Sequence, residues 1–340
     1  MSARTISRVA IRLFTPGDYP AVVRVSNAGF SEYAGSVEEL RYDDEHRDPK
    51  CHHARFVAER EGAVVGLAEC GQSAGMYHPR KFSLGVTVHP DWQGRGIGAA
   101  LYDHALTSLE SRAPLLVRGQ TRADWGASLR FLAARSFTEE MRAWESRLDV
   151  AAFDFAPFAG VQERTEAGGI DFKTFAELAG DPDRDRKLYA LDGELSLDVP
   201  QPGPHTPISY AHFAERILQN PDLIPDAYFV ALDATTGEYA GMGQLWHSQG
   251  SDDLYNGLTG VRLAYRRRGI ALALKLRGIA YAKAQGRPTI KTWNESNNRA
   301  MLSINEALGF AKQPVWIEFV KQLREEDSAL PEPGGGGEGR

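Results

Sequence analysis

The chain has 340 residues, of which 42% are hydrophobic and 25% charged, and its formal net charge is −6. This length suits two domains of ordinary size, and the acidic balance argues against a protein that binds mainly nucleic acid or an anionic membrane. No uncharged run reaches the ~18 residues of a spanning helix, and arginines interrupt the amino-terminal segment where a secretory signal would lie. Two cysteines, Cys51 and Cys70, form no disulfide framework. We therefore expect a cytoplasmic protein.

The first half of the chain predicts the element order β α α β β β α β α β. The predicted strands cover 9–14, 54–59, 63–69, 82–88, 115–120 and 141–150, and the predicted helices cover 20–30, 36–42, 97–109 and 126–134. In the third helix, apolar residues recur at four-residue spacing from Ile97 to Leu109, which is typical of a helix with one buried face.

The second half predicts the same order. Its predicted strands cover 169–175, 228–232, 239–247, 255–263, 289–293 and 315–321, and its predicted helices cover 182–191, 210–218, 270–284 and 297–308. The boundary between the halves falls near 151–162, and the Gly- and Pro-rich end at 326–340 predicts a flexible tail.

Two turns mark the repeat. Each lies between a strand and a helix, at 93–98 and at 266–271, and carries small residues at the start of the helix. Small residues let a ligand approach the backbone, and the unpaired N–H groups of a helix start favour an anion. Gln93 and Phe137 are as far apart as Arg266 and Phe310, at 44 positions (137 − 93 and 310 − 266). This identical spacing indicates an internal duplication with a nucleotide-containing ligand at each turn.

Two motifs resemble a known family. The turns Gln93-Gly-Arg-Gly-Ile-Gly98 and Arg266-Arg-Arg-Gly-Ile-Ala271 look like the pyrophosphate-binding motif of the GNAT superfamily of acyl-CoA N-acyltransferases. The segment from Asn294 to Phe310, an Asn-led helix that ends in Leu-Gly-Phe, resembles its second signature. The resemblance implies an α/β (α+β) chain of two tandem GNAT-like domains, each a mixed, mostly antiparallel sheet flanked by helices. Their expected ranges are 1–155 and 163–325.

The resemblance also implies an acetyl-CoA site in each intact half, without a metal. The pyrophosphate would bind backbone N–H groups at the turn, and the pantetheine would pair with the strand edge near Val261 and Leu263. The residues expected to contact the co-substrate are Val88, Gln93, Gly94, Arg95, Gly96, Ile97 and Gly98 in the first half, and Val261, Leu263, Arg266, Arg267, Arg268, Gly269, Ile270, Ala271, Asn294 and Asn298 in the second. The implied reaction is attack of the primary amine of a small molecule or peptide on the thioester.

The two copies differ downstream of the turn. Trp125 stands where the second copy has Asn298, Leu132 replaces Asn305, and Pro90 removes a backbone donor. We therefore expect a degenerate first half and place catalysis in the second, although activity in the first half or in both stays open.

The acid and base are the least defined part of the site. The family pattern has a tyrosine at the position of Asn305, and an amide is no useful acid, so Asn305 is expected to bind co-substrate or acceptor. Tyr255 is the candidate acid, with a packed strand aromatic as the alternative. Glu295 is the candidate base, with a solvated loop carboxylate as the alternative.

Other polar residues have weaker cases. Trp246 and His247 either line an amine pocket or pack at the rim, and Glu69 has Gln244 as its counterpart, which excludes a shared carboxylate role. The run 51–53, Cys-His-His, lacks metal-ligand spacing. A non-catalytic acyl-CoA sensor or scaffold is the competing function, and a longer acyl group is a further alternative.

Overall fold

The structure is a computed structural model, and it describes residues 9–325. The predicted tail at 326–340 lies outside the described residues. The first half contains strands β1 (Ala10–Leu13), β2 (His53–Arg60), β3 (Ala63–Gly71), β4 (Lys81–Val88), β5 (Leu116–Arg122) and β6 (Thr138–Asp149), and helices α1 (Tyr19–Gly29), α2 (Val37–Glu45), α3 (Ile97–Ser108) and α4 (Gly126–Ala133).

The second half repeats this order after a short additional helix, α5 (Val161–Ala167). It contains strands β7 (Ile170–Thr174), β8 (Leu223–Asp233), β9 (Tyr239–Ser248), β10 (Ser251–Val261), β11 (Thr289–Glu295), β12 (Ala311–Lys312) and β13 (Trp316–Gln322), and helices α6 (Arg184–Ser196), α7 (Tyr210–Phe213), α8 (Ile270–Ala284) and α9 (Arg299–Ala307). The expected duplication is therefore confirmed, with α5 and the short strand β12 as additional elements of the second half. Helix α8 has the predicted bounds, whereas α5, which begins at the end of the expected boundary near 151–162, was not predicted.

The described strands form one continuous sheet, because the two halves exchange their last strands. Its order is β1-β2-β3-β4-β5-β13-β6-β11-β10-β9-β8-β7, with β12 paired to β6. Strand β13 of the second half lies between β5 and β6, antiparallel to both. Strand β6 of the first half pairs in turn with β11. Each half is thus completed by a strand of the other. The expected division of the chain into two domains near 155–163 stays a prediction.

A buried carboxylate holds this junction together. The side chain of Glu145 on β6 is fully buried and accepts hydrogen bonds from the Tyr33 hydroxyl, from Trp316 Nε1 at 3.1 Å and from Arg147 Nε at 2.6 Å. Tyr33 belongs to the α1–α2 connection, whereas Trp316 belongs to the exchanged strand. The carboxylate therefore links three segments from both halves.

The helices cover the sheet on two faces. On one face α3 and α8 pack through apolar side chains such as Leu101 and Leu274, both almost fully buried. On the other face α1 packs through Val22 and Val25, and α6 packs through Leu188 and Leu191. Helix burial on both faces of a largely buried sheet is the arrangement expected for an α/β fold. None of the helices in the described part is long and apolar enough to cross a membrane.

Candidate acyl-CoA site

A wedge opens in the sheet of each half. Parallel pairing of β4 with β5 stops at Ser83, and parallel pairing of β10 with β11 stops at Tyr255, after which the strands diverge. Only β10 also carries a register irregularity against its antiparallel neighbour, between Asn256 and Thr259. Such bulges redirect side chains and occur next to active sites. The wedges leave backbone groups of β4 and β10 available for pairing.

The two predicted turns form concave backbone surfaces at the starts of α3 and α8. Gly94 and Gly96 have φ of +70° and +82°, and Arg267 and Gly269 have φ of +64° and +80°. Alternation between left-handed and other conformations points successive N–H groups toward one side, which creates an anion-binding concavity. Gly96 and Gly269 are the N-cap residues of their helices and supply no capping side chain. The N–H groups of both helix starts are thus left for a ligand.

A cleft adjoins each turn. The first cleft has a volume of about 520 Å³ and is lined by the turn, by α3 and α4, and by the glycines at 85, 98 and 119. Phe30 and Trp125, whose ring centroids are 5.1 Å apart, also line it. The second cleft, of about 620 Å³, is lined by the turn, by α9 and by the carboxyl end of α6. Both volumes are in the range of ligand sites.

Two arginines of the second turn have protein partners. Arg266 donates from Nε to the Val261 carbonyl at 3.0 Å and pairs with Asp198. Arg268 binds the carbonyl of Gly168. In the first turn, Gln93 donates to the Val88 carbonyl at 3.0 Å, so positions 93 and 266 share a role that fixes the turn on its strand.

Most of the other expected contacts of the second half lie around this cleft. Val261, Ile270, Ala271 and Asn298 line it, and the buried Ile270 also belongs to the core. Leu263 lies beyond the end of β10 and is 74% exposed. A ligand that pairs with β10 like a further strand therefore has to do so before Leu263, along the part of β10 that ends at Val261.

The asparagines of the second half fall into two groups. Asn298 caps α9 and accepts from the Met301 N–H at 3.3 Å, and its side chain lines the second cleft. Asn305 is almost fully buried and donates to the Asn294 oxygen at 2.7 Å. The Asn305 oxygen has no partner among the described residues. This pair braces α9 against β11.

The candidate acid, Tyr255, and the candidate base, Glu295, do not line the second cleft. Tyr255 stacks on Trp293 at 5.7 Å, and burial raises the pKa of its hydroxyl. Its neighbour Asn256 contacts α8, so strand alternation places Tyr255 on the opposite face of the sheet. Glu295 accepts from Ser296 and Asn297, which makes it a turn-stabilising group.

The other candidate side chains interact with neighbouring residues of the protein. Burial raises the pKa of Glu69, but the hydrogen bonds and charges of His53 and Arg55 outweigh it and hold the pKa below its usual range. The Trp246 indole donates to the Gln244 oxygen at 3.2 Å. Burial and Arg287 lower the pKa of His247. Among residues 9–325 there is no group of three metal-ligating side chains.

Sequence reasoning missed two ionisable side chains. Lys275 on α8 is 4% exposed and donates to the Asn256 oxygen at 3.2 Å. Asp192 on α6 has a single described partner, the hydroxyl of Ser196 at 3.5 Å, and burial raises the pKa of its carboxyl to about 6. The apolar helical pattern around both gave no signal for them, since a charged residue on such a helix normally faces solvent.

The fold and the clefts define the chain as a member of the Acetyltransferase (GNAT) family. The sequence profile of that family matches twice, over residues 21–132 and 193–310. These ranges include both turns and both wedges, so the family resemblance noted in the sequence is confirmed in each half.

Proteins similar to this chain include two acetyltransferases and a tandem GNAT protein. A mycothiol acetyltransferase from Thermobifida fusca is 27% identical over 275 residues, covering 76% of this chain and 79% of the relative. One from Thermobispora bispora is 28% identical over 330 residues, covering 92% and 98%. A tandem GNAT protein from the clavulanic acid biosynthesis pathway has a TM-score of 0.72 at 18% identity, covering 94% of this chain and all 100% of that one. At that identity the likeness shows the fold alone.

Proposed function

We propose that the protein transfers an acetyl group from acetyl-CoA to a primary amine of a small molecule or peptide, mainly in its second half. The observation that carries this proposal is the second cleft, where an anion-binding turn, a diverging strand edge and an asparagine-capped helix meet. The two buried cysteines are not joined in a disulfide, which fits a cytoplasmic location, where acetyl-CoA is present.

In this proposal, each wall of the second cleft binds or orients a different part of acetyl-CoA. The N–H groups at 267–271 and the dipole of α8 bind the pyrophosphate. The edge of β10 up to Val261 pairs with the amide groups of the pantetheine, and Asn298 adds polar contacts from α9. The bulged segment between Asn256 and Thr259 orients the thioester for attack by a neutral amine.

The preference for the second half rests on differences between the clefts. Trp125 replaces the capping Asn298, and β4 pairs with β3 without the irregularity that β10 shows. The first cleft is nevertheless large and keeps its turn. We propose that the first half binds an acyl-CoA without turning it over.

A thiol-release assay tests the function. Purified protein is incubated with acetyl-CoA and a panel of amines, with longer acyl thioesters in parallel. The panel is broad because relatives below 30% identity that are named mycothiol acetyltransferases do not define the acceptor of this chain. No turnover with any amine, together with no calorimetric CoA binding, would refute the proposal.

The second candidate function is a non-catalytic acyl-CoA sensor. It is favoured by one observation, which is that Asn305 occupies the family's tyrosine position and is bonded to Asn294. Tight CoA binding without transfer to any acceptor would establish it.

A further inference from the structure

Lys275 is an unusual buried lysine. It lies on α8, faces the sheet and is 4% exposed, and its ammonium donates to the Asn256 oxygen at 3.2 Å. Its Nζ also lies 5.4 Å from the centre of the Phe310 ring. No carboxylate within residues 9–325 pairs with it. Lysines are almost never fully buried without an anionic partner, so the burial of Lys275 indicates a functional role.

The position of Lys275 is the apex of the second wedge. Its partner Asn256 directly follows Tyr255, the last residue of β10 that pairs with β11. An acyl-CoA with its pyrophosphate at the start of α8 runs along β10 into the wedge. Its reacting end therefore approaches Asn256 and the amine of Lys275.

A small void with both apolar and polar lining residues adjoins the lysine. Its volume is about 10 Å³, and its lining includes Lys275, Asn256, Gln244 and Thr259. The amide nitrogen of Gln244 is buried without a partner in the described part of the chain. Thr259 also lines the second cleft, so void and cleft are neighbours. The unpaired amide nitrogen of Gln244 therefore lies near the inner end of the cleft.

The first half shows that this helix position faces the co-substrate cleft. Tyr102 follows Gln93 by nine positions (102 − 93), as Lys275 follows Arg266 (275 − 266). Tyr102 lines the first cleft. The duplication thus places Lys275 where its counterpart borders the ligand space.

We propose that Lys275 is the proton donor to the departing thiolate in the second half, which rests on the proposed acetyl transfer. The amine nitrogen bonds to the carbonyl carbon, the carbon–sulfur bond breaks, and the sulfur takes a proton from Lys275 Nζ. The proton lost by the attacking amine restores the ammonium. In this step Lys275 takes the role that the family pattern gives to a tyrosine, whose position is occupied by Asn305 in this chain.

The acidity of the group fits this step. Burial lowers the pKa of Lys275 to about 7. Near neutral pH a substantial fraction is protonated, and the ammonium is a far stronger acid than an ordinary lysine, which favours proton transfer to a thiolate.

Kinetics provide the first test, with Lys275→Met as the variant and Lys283→Met as the control. Lys283 lies on the same helix and binds the carbonyls of Ala151 and Phe153 at the surface. We expect Lys275→Met to lower kcat about 100-fold with little change in KM for acetyl-CoA, and to abolish the decline of kcat above pH 7. The control should retain wild-type kinetics. A wild-type kcat and pH profile in Lys275→Met would overturn the inference.

Covalent labelling provides a readout that needs no acceptor. Bromoacetyl-CoA is incubated with protein carrying Gly96→Glu, which blocks the first turn, and mass spectrometry locates the alkylated residue. We expect the Lys275 amine to displace bromide at about pH 8, because an amine with a pKa of about 7 is then largely neutral, and we expect the label to be lost with Lys275→Met. Bound reagent that leaves Lys275 unlabelled overturns this inference alone, whereas absence of CoA binding at the second turn overturns the proposed function as well.

Discussion

Asp198 forms an ion pair with Arg266 at the second turn, and it also lines the mouth of the second cleft. Arg266 is the residue expected to add positive charge for the pyrophosphate. The carboxylate therefore competes with an anionic ligand for the same guanidinium.

Replacing Asp198 with Asn should strengthen CoA binding. The guanidinium loses its anionic partner and keeps its contact with the Val261 carbonyl, so its charge becomes available to phosphate. Because the pair is exposed, we expect a modest gain of about two- to fivefold in affinity. Calorimetry in the Gly96→Glu background measures it, and Glu194→Gln, which removes a partner of Arg262 instead, is the control. Unchanged or weaker binding in Asp198→Asn would contradict the competition.

Matched substitutions in the two turns identify the active half. Gly96 and Gly269 have φ of +82° and +80°, so a glutamate imposes the same backbone strain in both, about 1–2 kcal/mol, and brings a negative charge to the anion site. We expect Gly269→Glu to abolish acetyl transfer and Gly96→Glu to keep most of it, as measured by thiol release. Equal losses would show that catalysis is not confined to the second half.

Asp192 should make stability depend on pH. Its folded pKa of about 6 exceeds the ~3.9 of an unfolded aspartate, so the folded state binds the proton more tightly. The wild type should lose stability as pH rises from about 4 to 6, and Asp192→Asn should not. The variant should therefore have the higher Tm at pH 7, with the difference vanishing near pH 4. The same helix supplies Glu194→Gln as a control. A pH-independent difference would contradict the assignment.

Glu145 should be a major contributor to the stability of the junction. Glu145→Ala leaves Arg147, Tyr33 and Trp316 without their buried acceptor, which costs about 3–5 kcal/mol in the free energy of unfolding. On the same strand, Glu139 pairs with Arg142 near the surface, and Glu139→Ala should cost at most about 1 kcal/mol. Denaturant unfolding measures both, and similar costs would show that the carboxylate is dispensable.

The sequence predicted the elements and the turns because these depend on local patterns. Helix α8 and both glycine-containing turns follow from apolar periodicity and small residues within a few positions of one another. The duplication could be recognised from equal spacing alone.

The strand exchange and the buried ionisable groups could not be predicted in this way. Strands β6 and β13 are equivalent copies, so the alternation pattern of neither strand shows which half it completes. The local sequence of α8 does not show that Lys275 is buried, because its burial depends on contacts with β10, including that with Asn256. Both features depend on contacts distant in sequence.

The exchanged strand also sets the order in which the protein can mature during synthesis. The gap between β5 and β6 is filled only by Trp316–Gln322, which leaves the ribosome almost two hundred residues after β6 begins. Until then the earlier part of the chain exposes unpaired strand edges, which are sites of association with other chains. Release of the carboxyl-terminal segment, rather than completion of the first repeat, is therefore the event that finishes the amino-terminal half.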